Sequence, residues 1–357
     1  VLHTIVAYEP IWAIGTGIGK PSVALSEVGW TPENGLCMPQ LTAKKYQLTF
    51  IAGVTMKVDD INFKFFHINK WDNGEFKGDA ISTTSELVKI SSDGNLGLEE
   101  GQKFERGGIY RFTVDVTKGN TKAVLTVEKV GKVDLPAPDI FFGNDKMEVT
   151  DTDIYKSDQA FTQGQMITVT GIDNLNEWWI DPDLFEKQSD GALKFLPING
   201  DYRVTANAVL KYFSVMALKD GKPAKLQDDG TGAIWAIGKG IGKPSVTSSE
   251  VGWEPSKALC LAQVASKKYQ LTLKAGETLK TSGDPEVISF KFFHQNDWGG
   301  EFGNYASSIL VEQLKLADSG NLEMQDNKAF EEGAVYRFTI DVTNGNANAD
   351  LKVEKIN

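Results

Sequence analysis

The chain has 357 residues, of which 41% are hydrophobic and 24% are charged, a composition typical of globular domains rather than disordered or fibrous proteins. Its formal net charge of −11 repels phosphate backbones, so we expect no nucleic acid partner. No run approaches the ~18 consecutive apolar residues that a membrane-spanning helix needs.

The first predicted element is the strand IWAIG, and the residues around it resemble a catalytic signature. AYEPIWAIGTG at residues 7–17 resembles the active-site segment of triosephosphate isomerase, in which the glutamate, here Glu9, abstracts a proton beside a carbonyl group. That enzyme is a barrel of roughly 250 residues, most of which precede the glutamate. We therefore interpret the match as coincidental and expect no isomerase activity.

The strand leads into GTGIGKPS, whose glycines suggest a phosphate-binding loop. A Walker loop would need glycine in place of Ile14 and serine or threonine in place of Pro21. No helix is predicted directly after it, so no helix N-terminus is expected to hold a phosphate. We interpret the segment as a glycine-rich loop that leaves the strand and ends at proline.

Further runs of alternating apolar and polar residues follow and predict strands with one buried face. The last two are separated by Gly-Asn, which is typical of a hairpin. Together with IWAIG they predict a β-sandwich, and they are KYQLTF at 45–50, INFKFF at 61–66, YRFTVDV at 110–116 and AVLTVEK at 123–129.

This module occurs twice. Residues 11–30 recur at 234–253, 223 positions later, and the similarity continues to the closing strands. Each copy is much longer than a solenoid repeat, so each should have its own core. We predict an all-β chain of tandem β-sandwich domains: a first module at 1–131, an immunoglobulin-like middle domain at 132–229 and a second module at 230–357.

The residue types that most often carry catalysis are sparse. Cys37 and Cys260 occupy equivalent positions in the two copies and are interpreted as free, buried thiols. The cysteines and three histidines are too dispersed for a four-ligand zinc site, and no cofactor is expected. A glycosidase needs only two nearby carboxylates, whose separation the sequence does not show, so this class stays open.

Tryptophans are the residues that the copies share most distinctively. Trp12 lies in a predicted strand and suits a core, whereas Trp30 and Trp71 lie in polar, loop-like sequence. Their equivalents in the second copy are Trp235, Trp253 and Trp298. Large aromatic rings in polar loops suit ligands that have apolar faces and hydroxyl rims, as sugars do.

The order of these elements resembles the carbohydrate-binding domains of SusE/SusF-like surface lipoproteins from Bacteroidetes. The resemblance rests on IWAIG, VGW, KKYQLTF, AG, INFKFFH, NKWDNGEF and GGIYRFTVDV and on their counterparts in the second copy. It implies a non-catalytic glycan-binding protein, anchored by lipid to the outer membrane and facing outward. It also implies neutral polysaccharide or oligosaccharide as ligand and an outer-membrane transporter complex as partner.

The binding sites of that family combine aromatic side chains with lysine or arginine and amides. The matching positions in the first module are Trp30, Trp71, Lys20, Asn69 and Asn73, and those in the second are Trp253, Trp298, Lys243, Asn296 and Glu301. The alternative is a structural or adhesive spacer without sugar binding, in which the loop tryptophans would be buried. A glycoside hydrolase is the third possibility.

Overall fold

The structure is a computed structural model, and it describes residues 10–71, 74–281 and 287–357. Within these ranges the chain forms 33 β-strands and two α-helices of four residues, α1 (Val23–Ser26) and α2 (Val246–Ser249). The predicted all-β class with tandem β-sandwich domains is therefore confirmed. Four short 3₁₀ helices lie at Pro32–Asn34, Leu175–Glu177, Pro255–Lys257 and Asn346–Asn348.

The first module is built from two antiparallel-rich sheets. One has the strand order β2-β1-β6-β9-β8, with β3 also paired to β1, and the second has the order β4-β5-β10-β11-β7. The strands are β1 (Ile11–Gly19), β2 (Glu27–Gly29), β3 (Leu36–Met38), β4 (Gln40–Thr42), β5 (Lys45–Ile51), β6 (Asn62–Phe66), β7 (Ile81–Thr83), β8 (Val88–Ile90), β9 (Leu96–Leu98), β10 (Gly108–Asp115) and β11 (Ala123–Lys132).

The first strand differs from its prediction. β1 continues through the glycine-rich segment to Gly19, and α1 begins four residues later, so this segment is a strand followed by a one-turn helix. Glycine is required there because a Cβ on Gly15 would lie 2.4 Å from the Cα of Phe63 on β6. The close approach lets β1 and β6 pair along five residues.

The middle domain contains two three-stranded sheets, β13-β12-β17 and β16-β19-β18, and one five-stranded sheet, β14-β15-β20-β21-β22. Most of its strands are short, as the sequence predicted, but three have eight residues each. The strands are β12 (Phe141–Phe142), β13 (Asp145–Lys146), β14 (Glu148–Asp151), β15 (Ile154–Phe161), β16 (Met166–Ile167), β17 (Val169–Thr170), β18 (Phe185–Lys187), β19 (Leu193–Phe195), β20 (Gly200–Asn207), β21 (Tyr212–Lys219) and β22 (Lys222–Pro223).

The second module repeats the two sheets of the first, in the orders β24-β23-β28-β31-β30, with β25 on β23, and β26-β27-β32-β33-β29. Its strands are β23 (Trp235–Gly242), β24 (Glu250–Gly252), β25 (Leu259–Cys260), β26 (Ala262–Ala265), β27 (Lys268–Lys274), β28 (Ser289–Phe293), β29 (Ser307–Ile309), β30 (Leu314–Leu316), β31 (Leu322–Met324), β32 (Val335–Asp341) and β33 (Asp350–Lys355).

Aromatic rings from both sheets fill the core of each module. In the first, the Phe63 ring lies 5.9 Å from Phe112 of the opposite sheet, and in the second the equivalent Phe290 and Phe338 rings are 5.6 Å apart. All four side chains are fully buried. Burying such a ring contributes roughly 1.5–3 kcal/mol each, so these pairs anchor one sheet on the other.

By its internal contacts the chain divides into two compact units. One comprises Val1–Pro138 and Glu148–Tyr155, and the other comprises Asp139–Met147 and Lys156–Asn357. Most of the middle domain therefore belongs with the second module. Among the described residues, no helix has the length and apolar character needed to cross a membrane.

Candidate functional site

The first module places its two loop tryptophans together at the surface. The Trp30 and Trp71 rings are 6.2 Å apart at an angle of 31°, and 46% of Trp71 is exposed. Phe66, the last residue of β6, packs edge-on against Trp71 at 5.4 Å. A buried ring on a rigid strand thus supports a half-exposed indole.

The second module repeats this arrangement with little change. Trp253 and Trp298 are 6.4 Å apart at 26°, Phe293 of β28 meets Trp298 edge-on at 6.1 Å, and 51% of Trp298 is exposed. Trp30 and Trp253 are half-buried. We call the two clusters the tryptophan pairs: Trp30 with Trp71, and Trp253 with Trp298.

Local hydrogen bonds hold the loop that carries the second exposed indole. The backbone N–H of His294 donates to the carbonyl of Gly300 at 2.7 Å and closes the loop. Inside it, the Trp298 N–H donates to a carboxylate oxygen of Asp297, and Gln295 Nε2 donates to the Trp298 carbonyl. The loop therefore fixes the Trp298 backbone without covering its ring.

Polar side chains predicted for the site lie on the same loops as the exposed tryptophans. Asn69 precedes Trp71 and is half-buried, with its Oδ1 buried beside Gly35 and without a hydrogen bond in the described structure. Asn296 is half-buried and Glu301 is exposed. Asn73 lies outside the described residues.

The sequence analysis missed one lysine in each module that shares a sheet face with the phenylalanine supporting the tryptophan pair. In β6, Lys64 and Phe66 are two residues apart and share a face, opposite Ile14 and Trp12 of β1. Lys291 has this position in β28. The FKF pattern was the available signal, because alternation places Lys64 on the face opposite the buried core rings.

The other predicted cations lie elsewhere. The resemblance implies that Lys20 and Lys243 bind sugar, but the Lys20 ammonium lies over the Phe50 ring of β5, 5.8 Å from its centre. Phe50 belongs to one sheet, and Phe66, which supports Trp71, belongs to the other. Lys243 is 6% exposed. We leave both lysines out of the tryptophan-pair site.

Lys243 is instead enclosed by the middle domain. Its ammonium lies 2.6 Å from Asp181 and 3.2 Å from Asp183, and 5.9 Å from the centre of the Trp179 ring. Gln270 and Thr272 of β27 donate to Asp183 at 2.7 and 2.6 Å. We call Asp181, Asp183 and Trp179 the lysine cage.

Charge pairing outweighs burial at Lys243 and Asp183, but burial outweighs it at Asp181. Burial alone would lower the pKa of Lys243, but the charges of Asp181 and Asp183 raise it. Burial alone would raise the pKa of Asp183, yet the ammonium and the hydrogen bonds from β27 hold it below its usual value. Burial raises the pKa of Asp181. These two carboxylates bind a lysine, so they are not free for glycoside hydrolysis.

A glutamate that both copies share at the same position has a structural partner in each. Glu27 accepts from the Gly17 N–H at 2.8 Å and Glu250 from the Gly240 N–H at 2.8 Å, so this shared acid holds the glycine-rich half of the first strand. Glu9 lies outside the described residues. Within the described ranges, no group of three or more His, Cys, Asp or Glu side chains could hold a metal ion.

The prediction that both cysteines are free and buried is wrong for one of them. Cys37 and Cys260 are both free, but Cys37 is exposed rather than buried. Cys260 is largely covered and packs near Ala217 of the middle domain, and burial raises its pKa to about 12. Trp12, predicted to lie in a core, is half-buried, whereas its equivalent Trp235 is fully buried and donates from Nε1 to the carbonyl of Ala224 at 3.0 Å.

Two family models match the chain. The model described as Domain of unknown function (DUF5121) matches residues 7–117 and 229–343, and that described as Domain of unknown function (DUF5125) matches residues 133–226. No curated protein matches the chain. Among solved structures, a Drosophila N-cadherin fragment, EC1-4, is 9% identical and aligns over 96% of this chain and 71% of its own, with a TM-score of 0.15. A TM-score this low supports no structural conclusion.

Proposed function

Starting from the premise that the chain belongs to the DUF5121 family of domains of unknown function, we propose that it is a non-catalytic glycan-binding protein that uses its two tryptophan pairs. The ligand is a neutral polysaccharide or oligosaccharide. In keeping with the SusE/SusF-like pattern of its sequence, the protein acts at the cell surface, lipid-anchored in the outer membrane, and supports carbohydrate capture beside a transporter.

The repeated, half-exposed indole is the observation that carries this proposal. Trp71 and Trp298 are 46% and 51% exposed although each has two aromatic partners. Exposed, pre-positioned aromatic rings are characteristic of binding surfaces. A spacer protein that used these residues only for packing would bury them.

The surroundings of the pairs favour an uncharged ligand rich in hydroxyl groups. Asn69 and Asn296 supply amide groups, and the half-buried Lys291 supplies a donor on the Phe293 side of its sheet, whereas the equivalent Lys64 is only 8% exposed. Hydroxyl groups can pair with both donors and acceptors of this kind. The net charge of −11 disfavours polyanionic glycans.

Affinity electrophoresis of the full chain through gels that contain single neutral polysaccharides tests the proposal. We expect at least one polysaccharide to retard the parent chain and the Trp298→Ala and Trp71→Ala variants to be retarded less. Removing a stacking ring should cost on the order of 1 to 3 kcal/mol of binding free energy. Thermal melts establish that each variant is folded, because loss of a buried tryptophan would itself cost roughly 3–5 kcal/mol of stability.

Leu25→Ala and Ile309→Ala are matched controls. Leu25 is 65% and Ile309 is 59% exposed, so each substitution removes a large exposed apolar side chain from one module without touching a tryptophan pair. Both controls should migrate like the parent. A folded Trp71→Ala/Trp298→Ala double variant that is retarded as strongly as the parent would contradict the proposal.

A further inference from the structure

The two modules share a second surface besides the tryptophan pairs. We call it the lysine face, and it consists of the same five residues in each copy. They are Lys20, Cys37, Gln40, Gln47 and Thr49 in the first module and Lys243, Cys260, Gln263, Gln270 and Thr272 in the second.

In the second module the middle domain covers this face. Besides the lysine cage, the Ile198 N–H donates to the Gln263 carbonyl at 2.8 Å, and Gln163 Nε2 donates to the Val264 carbonyl at 3.1 Å. Thr272 is 7% exposed, although it is a polar residue on the outside of its module. The face is thus an occupied docking surface.

In the first module the described residues leave the same face open. Lys20, Gln40, Thr49 and Cys37 are all exposed, and Leu41, which corresponds to Val264, is 62% exposed. Among the described residues, no carboxylate lies within ion-pair distance of Lys20, whose ammonium lies over an aromatic ring. The first module therefore presents the docking residues without the domain that fills them in the second.

We infer that the lysine face of the first module binds a domain of the middle-domain type, which inserts two carboxylates around Lys20 as Asp181 and Asp183 surround Lys243. The occupant is identified by the second module, where a face of the same composition is filled by the Asp-Pro-Asp segment. Charge complementarity selects an acidic loop, and exposed Leu41 adds apolar area beside it. This inference is independent of sugar binding.

The test extends the chain with its own middle domain. Residues 133–233 replace residues 1–10, so that Ala233 is joined to Ile11. This reproduces the native junction between Ala233 and Ile234. Iodoacetamide labelling of Cys37 is then followed by peptide mass spectrometry. We expect the added domain to slow labelling of Cys37 at least tenfold relative to the parent chain, because the corresponding Cys260 lies under the middle domain.

Two substitutions in the extended chain separate specific docking from crowding. Lys20→Met should restore the labelling rate of the parent, whereas Lys118→Met, at an exposed lysine in a turn, should leave Cys37 protected. Labelling of Cys37 in the extended chain at the parent rate would overturn the inference. This holds whether trypsin leaves the added domain intact, as a folded domain, or digests it, because a docking face should hold its domain folded. Protection of Cys37 in the parent chain that grows with protein concentration would point to a second copy instead and would also overturn it.

Discussion

The two modules are most instructive where they differ. Both keep a tryptophan pair with nearly the same geometry, 6.2 and 6.4 Å between ring centres, and both keep a lysine before a proline. A buried phenylalanine supports the pair in each copy, whereas Lys20 is exposed and Lys243 is buried in an acidic cage.

This contrast shows that two kinds of surface were duplicated together. The tryptophan pair is complete within one module, because Phe66 or Phe293 of the same module supports it. The lysine face depends on a neighbouring domain to neutralise and cover it. A substitution at the pair should therefore act alike in both copies, and a substitution at the lysine should not.

The largest difference is expected from removing the two lysines. Lys243→Met should lower the free energy of unfolding of the unit that contains it by about 3–5 kcal/mol, because it leaves Asp181 and Asp183 buried without their cation. Lys20→Met should change stability by less than about 0.5 kcal/mol, as expected at an exposed position. Urea denaturation of each full-length variant measures both. Equal effects would show that the two lysine environments are not different.

Thiol labelling at pH 8 provides the next contrast. Cys37 should react with iodoacetamide at least about 100-fold faster than Cys260, since burial raises the pKa of Cys260 to about 12 and each unit lowers the thiolate fraction about tenfold. Burial also raises the pKa of the Cys37 thiol, but the residue is exposed. Similar rates at the two cysteines would contradict the covered lysine face of the second module. Lys243→Met should accelerate labelling of Cys260 only.

The sequence could predict the sandwiches and the tryptophan pairs, which are complete within one module, but not the lysine cage, which needs a second domain. The repeat, whose copies begin 223 residues apart, and the alternating strands were enough to predict the paired sandwiches. The polar loops were enough to place Trp71 and Trp298 at the surface. The cage around Lys243 was not predictable, because Asp181 is 62 residues away and no local pattern links the two. The exposure of Cys37 was missed for the same reason: its burial is decided by a neighbouring domain.

The prediction of a loop for the glycine-rich segment was wrong for a different reason. Gly15 and Gly17 have φ angles of 141° and 80°, and their sequence favours a loop. Contact with β6 overrides that preference, since only residues without a Cβ allow the two backbones to approach. Pairing between residues nearly fifty positions apart is invisible to local pattern.

The lysines should also titrate differently. Burial lowers the pKa of Lys20, while the cage carboxylates raise that of Lys243 against the effect of burial. The contribution of Lys243 to stability is therefore fully present below the unfolded value of about 10.4 and is lost as the pH rises through its raised pKa. The cost of burying Lys20 has the opposite sign and disappears as the pH rises through its lowered pKa. NMR titration of the lysine side chains should find Lys20 below and Lys243 above this value, and the reverse order would contradict the cage.

At acid pH the raised pKa of the buried Asp181 opposes the contribution of Asp183. The pKa of Asp183 lies below that of an unfolded aspartate, about 3.9, so the stabilising contribution of Asp183 is present above that pH and is lost as the pH falls through the lowered value. Asp183→Asn should reduce this acid dependence in the unit that contains the second module. Acid titration of unfolding, with Asp93→Asn as a control on an exposed turn of the first module, measures the effect. An unchanged acid slope in Asp183→Asn would contradict it.

The chain's eight tryptophans allow the most direct test of glycan binding. Indole N–H signals of the full chain can be followed by two-dimensional NMR during titration with an oligosaccharide derived from a retarding polysaccharide. We expect the signals of Trp71 and Trp298, with their partners Trp30 and Trp253, to shift with a common saturation curve, while the buried indoles of Trp178 and Trp235 stay in place. Saturable shifts confined to tryptophans outside the two pairs, or no shift at saturating sugar, would contradict the central proposal.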